Sequence, residues 1–224
     1  MNVAVRGGST IFFMEQYVAD PDLTVFWRLD RISFFFLTGT ASLLAGTACT
    51  TFLTKRFEKR TLMIALTVLN ALALGAFFFI PPEQYWTMII VNAIGTAIVG
   101  PTPAIVWAMY ADCADYGEWK QGRRTTGLIF SGVLFAQKTG LAIGAGLAGW
   151  ILSLFGYVSG QEQTDTAILG IRLMFSIFPA TLGTLSAVMI FFYPIDRKML
   201  SEIESDLAAR REAEADAEAE NTAD

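Results

Sequence analysis

Six long apolar stretches separated by short polar ones set the pattern of this chain. The hydrocarbon core of a bilayer is about 30 Å thick and an α-helix rises about 1.5 Å per residue, so a spanning helix needs about 20 apolar residues. Residues 2–19, 31–53, 61–80, 86–110, 125–155 and 166–193 meet or approach that length. The first is stopped by Asp20, Pro21 and Asp22. The second opens on Phe34, Phe35 and Phe36 and closes on the basic cluster Lys55, Arg56, Lys59 and Arg60. The third ends at Pro81 and Pro82, whose missing amide donors stop helical bonding. Pro101 and Pro103 predict a bend inside the fourth, and the fifth is long enough to tilt.

Charge on the connections orients these segments. Of 16 Lys and Arg, eleven fall in the stretches 55–60 and 120–124 and after Pro194; the alternate connections carry only Arg28 and Arg31. Basic loops are retained in the cytoplasm. The basic loops and the C-terminal tail are therefore expected to be cytoplasmic, and the connections at Pro81 and Gly160 external. This alternation is self-consistent for six spans. Residues 1–19 are not expected to be a cleaved signal peptide, because Arg6, Glu15 and the missing small-residue cleavage site argue against one. The first segment reads as short at its start, as though the natural chain began earlier.

Composition agrees with a membrane protein: 54% of the 224 residues are hydrophobic and 17% charged, with a mean hydropathy of +0.47. The net charge of −5 says little about partners, because the surplus acid gathers after Pro194. There, Met199, Ile203 and Leu207 recur every four residues and predict an amphipathic helix over 195–211, lying on the membrane surface or against the cytoplasmic loops. The acidic, low-complexity stretch 212–224 is expected to be disordered. Histidine is absent, which excludes a Ser/His/Asp triad and any His-bearing zinc site within the chain. Cys49 and Cys113 match no metal or redox spacing and read as small packing residues. No pair of acids within the membrane and no nucleophile motif supports an enzyme.

Two features remain that could carry chemistry. Lys138 lies about thirteen residues inside the fifth segment, and a charge at such depth costs roughly 2.5 to 3.5 kcal/mol on insertion scales. It is expected to face a polar cavity, with a ligand or a carboxylate from outside this sequence as its partner. The second feature is the charged connection that holds Asp112, Asp115, Glu118, Lys120, Arg123 and Arg124 within thirteen residues. Acids at one helix end and arginines at the next can form a latch that makes and breaks, and the KRFEKR cluster at 55–60 could partner Asp112 and Asp115. Gly140 and Gly144, in GxxxG spacing, and Gly146 and Gly149 predict close helix packing. Trp107, one turn after Pro103, could stack on a sugar ring.

The run ADCADYGEWKQGRRTTG, the following SGVLFAQKTGLAIGAGLAGW, and VRGGSTIFFMEQYV near the start together resemble the glycoside-pentoside-hexuronide:cation symporters, the melibiose carrier group of the major facilitator superfamily. KRFEKR and YPIDRKMLSEIE also fit. The resemblance covers the chain to about residue 209. It implies an all-α membrane protein whose six transmembrane helices, residues 1–194, correspond to helices seven to twelve, the C-terminal half. It implies that Lys138, Trp107 and Arg6 serve substrate binding, and that Asp112, Asp115, Tyr116, Gly117 and Glu118, with Arg123, Arg124, Arg56 and Arg60, form a cytoplasmic gate. The expected activity is symport of a sugar or glycoside with Na+ or H+ by alternating access, with no organic cofactor and with the cation ligands in the N-terminal half. The expected partners are the sugar, the lipid bilayer of the cell membrane and that N-terminal half; no nucleic acid is expected. A related carrier of a lipid or other amphiphile, or a non-transporting half that needs a partner, are the alternatives.

Overall fold

A computed structural model describes residues 2–18, 24–26, 29–123 and 125–223; the readings at Asp20, Pro21, Asp22, Arg28 and Arg124 lie outside these residues. The chain forms α1 (Asn2–Gln16), a two-stranded antiparallel ribbon of β1 (Thr24–Phe26) and β2 (Leu29–Asp30), then α2 (Arg31–Ala48), α3 (Thr50–Arg56) and α4 (Lys59–Ala76). A 3-10 turn, Phe77–Phe79, closes α4. There follow α5 (Tyr85–Val99), α6 (Thr102–Gln121), α7 (Thr126–Leu154), α8 (Asp165–Phe175), α9 (Ile177–Phe191) and α10 (Arg197–Ala223).

Among the described residues, four helical stretches are long and apolar enough to cross a membrane: Lys59–Phe79, Tyr85–Gln121, Thr126–Leu154 and Asp165–Phe191. The pair α2 and α3, bent by 41° at Cys49, makes a fifth if counted as one span. The first of the six expected spans falls short: α1 has 15 residues, roughly 22 Å at the helical rise. Three of the long segments are broken, and each break has a local cause. At Cys49 the hydroxyls of Thr47 and Thr50 bond back to the Leu43 and Thr47 carbonyls, a competition with the backbone ladder that bends helices. At Gly100 and Pro101 the fourth segment divides, and Pro103 sits in the first turn of α6, where a missing amide costs nothing. The bend expected there is therefore a change of helix within one 37-residue span. The break at Ser176 was not expected. Pro179 has no amide to offer the Phe175 carbonyl, and the Ser176 hydroxyl bonds to Arg172 O.

Packing is densest where α2 crosses α5 and α4 runs beside α9. A Cβ on Gly46 would lie 2.0 Å from the Ala97 carbonyl oxygen, and one on Gly100 would lie 2.6 Å from that of Leu43. The two backbones touch, and the Thr47 hydroxyl also donates to Gly100 O across the contact. At the Pro81 end, Phe13, Phe77 and Phe175 form the core, with Phe13 and Phe175 stacked at 4.2 Å between centroids. Carbonyls left open by the prolines are taken up by side chains: the Tyr17 hydroxyl donates to Ile80 O and the Arg172 guanidinium to Phe78 O. At the opposite end Leu62, Leu66, Ile105 and Met109 make a second cluster.

Helix α7 is the exception. It buries Gly144, Ala148 and Leu152 and leaves Leu128, Phe135 and Trp150 more than 60% exposed. Of the four glycines expected to pack closely, Gly144 is buried, whereas a Cβ on Gly146 or Gly149 would meet nothing. The acidic stretch expected to be disordered continues α10 as helix to Ala223; its alanines and glutamates are strong helix formers.

Gly46→Ala is expected to destabilise the protein by about 1 to 3 kcal/mol, since overpacking against a backbone outweighs the gain in helix propensity. Gly146→Ala should leave stability unchanged or slightly raised. Thermal unfolding followed by circular dichroism in detergent checks both; an unshifted midpoint for Gly46→Ala would show that α2 and α5 do not approach this closely.

Candidate functional site: a mid-depth polar pocket and a charged helix end

Within the bundle, α1, α2, α4, α5 and α9 enclose a cavity of about 480 Å3. Arg6 of α1 is the one charged side chain among the described residues that line it. Its Nη2 donates to Asn92 Oδ1 at 3.0 Å, and its guanidinium lies over the Phe175 ring at 5.5 Å. Asn92, buried, donates in turn from Nδ2 to the Phe35 carbonyl at 3.2 Å. Gly39 makes this possible: a Cβ there would come within 2.9 Å of Asn92 Nδ2. Asn70 Oδ1 of α4, turned toward Gly95 of α5, is buried and has no hydrogen-bond partner among the described residues. Asn92 lies seven residues into α5 and Asn70 eleven into α4, roughly 10 and 16 Å from opposite ends of the bundle. The pocket is therefore near mid-depth.

The three residues expected at the substrate do not meet. Trp107 stacks on Phe130 across α6 and α7, with centroids 5.9 Å apart and planes at 9°, beside a separate groove of about 750 Å3 that Tyr110 and Gln137 also line. Lys138, next to Gln137, is exposed on α7, lines neither cavity and makes no ion pair among the described residues. Twelve residues past Thr126, it still sits roughly 18 Å along its helix.

The charged connection is tied to other helices by ion pairs, with partners that differ in part from those expected. Lys59 Nζ lies 2.9 and 2.8 Å from the two oxygens of Asp112, whose side chain is 10% exposed. The basic cluster is thus the partner of Asp112, through Lys59 rather than Arg56 or Arg60. One residue further round α4, Arg60 points to α9, where it donates to Phe191 O and covers the Phe191 ring. Arg56 lies on α3, before the turn at Phe57 and Glu58, and is exposed, as is Arg123. Asp115 is half-buried. Tyr116 accepts from Lys120 at 3.2 Å. A Cβ on Gly117 would lie 3.1 Å from Thr125 Oγ1, so α6 and the start of α7 are in contact there. Gly122, at φ 66°, closes α6 in the left-handed region that favours glycine.

Further contacts to this helix end come from α10. Ile203 and Leu207 are buried, which seats this amphipathic helix against the end of α6 rather than leaving it on a membrane surface. Arg211 pairs with Glu118 at 3.2 Å, the Trp119 indole donates to Asp206 at 2.8 Å, and Arg210 donates to the Trp119 carbonyl at 3.2 Å. Asp206, Arg210 and Arg211 escaped the sequence reading; the period of Met199, Ile203 and Leu207 was the one signal for them. Beside Asp112, burial first and the neighbouring carboxylate second push the Tyr193 phenol well above its ordinary range.

Lys59→Ala leaves the Asp112 carboxylate buried without its cation. It should cost up to about 3 kcal/mol, below the range for fully buried pairs because Lys59 is a third exposed. Lys59→Met combined with Asp112→Leu should recover most of that loss. Unfolding midpoints of the single and double variants give the coupling, and additive losses would show that the two do not interact.

No solved structure matches the chain. Among curated relatives, the inner membrane symporter YicJ of Escherichia coli K12 is 34% identical over 84% of this chain and 39% of its own length. The putative glycoside/cation symporter YagG of the same strain is 29% identical, over 95% and 45%. The glucuronide carrier protein homolog, also of that strain, is 31% identical, over 71% and 35%. The chain therefore spans less than half the length of these relatives. The family model described as MFS/sugar transport protein matches residues 1–197, so that the resemblance seen in the charged connection and the first helix extends over nearly the whole helical bundle: this multi-pass membrane protein belongs to the MFS/sugar transport family.

Proposed function

We propose that the chain is the C-terminal six-helix half of a secondary active transporter that moves a sugar or glycoside together with Na+ or H+ by alternating access. The observation that carries this reading is the pocket around Arg6 and Asn92: a chamber near mid-depth whose largely apolar wall holds a hydrogen-bonded arginine and asparagine. Carriers of this superfamily hold substrate at the midplane, where two helical repeats meet. The volume of about 480 Å3 lies in the range of small-ligand sites. Its wall is largely apolar, with Phe35, Phe36, Leu43, Leu66 and Leu74; the arginine, asparagines and threonines set among them offer a hydroxylated ligand hydrogen-bond partners that a lipid chain would not use. The relatives named as a glycoside/cation symporter and a glucuronide carrier homolog point to the same substrate class.

The exposed flank of α7, with Lys138 and Phe135 on it, supports a second half seated there. Lys138 then faces the interface between halves, where the substrate and the cation ligands of the N-terminal half would meet it, and Trp107 sits on the path beside α7. The latch of Lys59, Asp112, Glu118 and α10 is the gate on the cytoplasmic side of the cell membrane, and the tail is cytoplasmic by the same charge bias. Transport of this kind makes and breaks no covalent bond.

In vesicles that hold the complete carrier, Lys138→Ala should abolish cation-coupled accumulation while leaving the protein folded. Labelled-sugar uptake with and without a Na+ or H+ gradient is the check; accumulation equal to the parent would remove Lys138 from the mechanism.

A further inference from the structure

Of the basic cluster at residues 55–60, Lys59 alone meets an acid among the described residues. Lys55 and Arg56 are exposed and make no ion pair there, and Arg60 turns to the end of α9. Bare charges are costly within hydrocarbon, so Lys55 and Arg56 mark the level at which α3 leaves the membrane. Phe52, three and four residues before them on the same face of α3, is 69% exposed. It sits about one turn deeper, where an aromatic ring meets acyl chains. This end of the bundle therefore lies in the headgroup layer.

At that level a cleft of about 170 Å3 opens between α3, the start of α4 and the start of α10, with Arg60, Arg197 and Phe57 in its wall. The acids of the cleft are engaged. Both oxygens of Asp112 face Lys59, Asp196 Oδ1 accepts from the Met199 amide, and Glu58 accepts from the Thr61 hydroxyl at 3.3 Å. Arg60 gives one nitrogen to the Phe191 carbonyl and holds its guanidinium 5.2 Å from the Phe191 ring centre. Its other N–H groups stay open, and Arg197 is exposed with no partner among the described residues. Phe57 and Phe191 are exposed as well.

Two open guanidinium edges beside two bare aromatic rings, at the boundary of the hydrocarbon, match a molecule with an anionic phosphate and an acyl chain. We propose that this cleft binds an anionic phospholipid of the surrounding leaflet, with its phosphate held by Arg60 and Arg197 and its chain laid on Phe57 and Phe191. Arginine suits a phosphate because its planar fork meets two oxygens at once. The cleft is smaller than sites that enclose a whole small molecule, roughly 300 Å3 and above; it admits a headgroup phosphate whose chains stay outside. Lys55, Arg56, Arg60 and Arg197 outnumber Glu58 and Asp196 around it, so the local field is positive. Basic pockets between helices at a membrane surface take anionic headgroups in this way. A phosphatidylcholine would carry its own cation into that field and bind less well.

The test is a lipid titration of the complete carrier in detergent, read by mass spectrometry of the intact complex, with phosphatidylglycerol and phosphatidylcholine as the added lipids. Phosphatidylglycerol should bind about 5- to 30-fold more tightly, since each cation near the surface contributes a factor of about 5. Arg60→Gln combined with Arg197→Gln should remove that preference and leave phosphatidylcholine binding unchanged. Lys120→Gln combined with Arg123→Gln, which takes the same charge from the far end of α6, should keep it. If the arginine pair variant does not fold, Arg197→Gln alone, at an exposed residue, should still lower the preference about 5-fold. Equal binding of the two lipids by the parent, an undiminished preference in the arginine variants, or an equal loss in the Lys120 and Arg123 variant would each overturn the proposal. Displacement of the lipid by glycerol 1-phosphate at the same concentration would overturn it too, because the cleft would then serve a soluble phosphate ester. Sugar uptake enters none of these measurements, so the transport reading stands or falls separately.

Discussion

The contact between α2 and α5 is the constraint on which the rest of the fold depends. Gly46 and Gly100 let two backbones touch, and Gly39, two turns along, leaves room for the amide of Asn92. Between apolar helices in lipid the hydrophobic effect supplies no drive, so close backbone approach and hydrogen bonds across the contact must hold the pair together. Thr47 bonding to Gly100 O and Asn92 bonding to Phe35 O are two such bonds. Because Asn92 is fixed by this crossing, Arg6 is fixed too, and a charge on α1 is carried into the centre of the bundle.

The breaks in the helices follow from the same environment. Within hydrocarbon a backbone group without a partner is expensive, so irregular backbone survives only where other groups satisfy it. At Cys49 the threonine hydroxyls do so; at Ser176 the serine hydroxyl; at the Pro81 end the side chains of Tyr17 and Arg172. Arg172, which on hydropathy alone is one charge within a span, is thereby a cap for the end of the neighbouring segment.

Charge is sorted by depth. Lys59, Asp112, Glu118, Asp206 and Arg211 gather at one end of the bundle, where the less exposed acids, Asp112 and Glu118, are each paired with a cation and α10 packs against the end of α6. Partly exposed ion pairs of this kind contribute little on their own, and the buried Asp112 carboxylate is the member that most needs its cation. Arg6 alone among the described pocket residues brings charge to the middle, and there its partners are an amide and an aromatic face.

The sequence by itself did not show that the first apolar segment forms a helix of only 15 residues, but it determined nearly the bounds of the second to sixth, the end of the bundle on which the basic residues gather, the amphipathic helix after Pro194 and the family. Each of these is a property of local composition or of spacing along a single helix, and local pattern reports such properties directly. Tertiary structure decided the rest. That Lys59 and not Arg56 or Arg60 meets Asp112 depends on the rotation of α4 against α6, one residue being a turn of 100° about the axis. That Arg6 enters a pocket while Trp107 and Lys138 lie elsewhere depends on which faces of α1, α6 and α7 are turned inward, and on glycines of α2 whose role appears only when α5 lies against them. Hydrophobicity in a membrane helix is nearly uniform around its circumference, so the sequence carries little record of which face is inside; packing of one backbone against another supplies it.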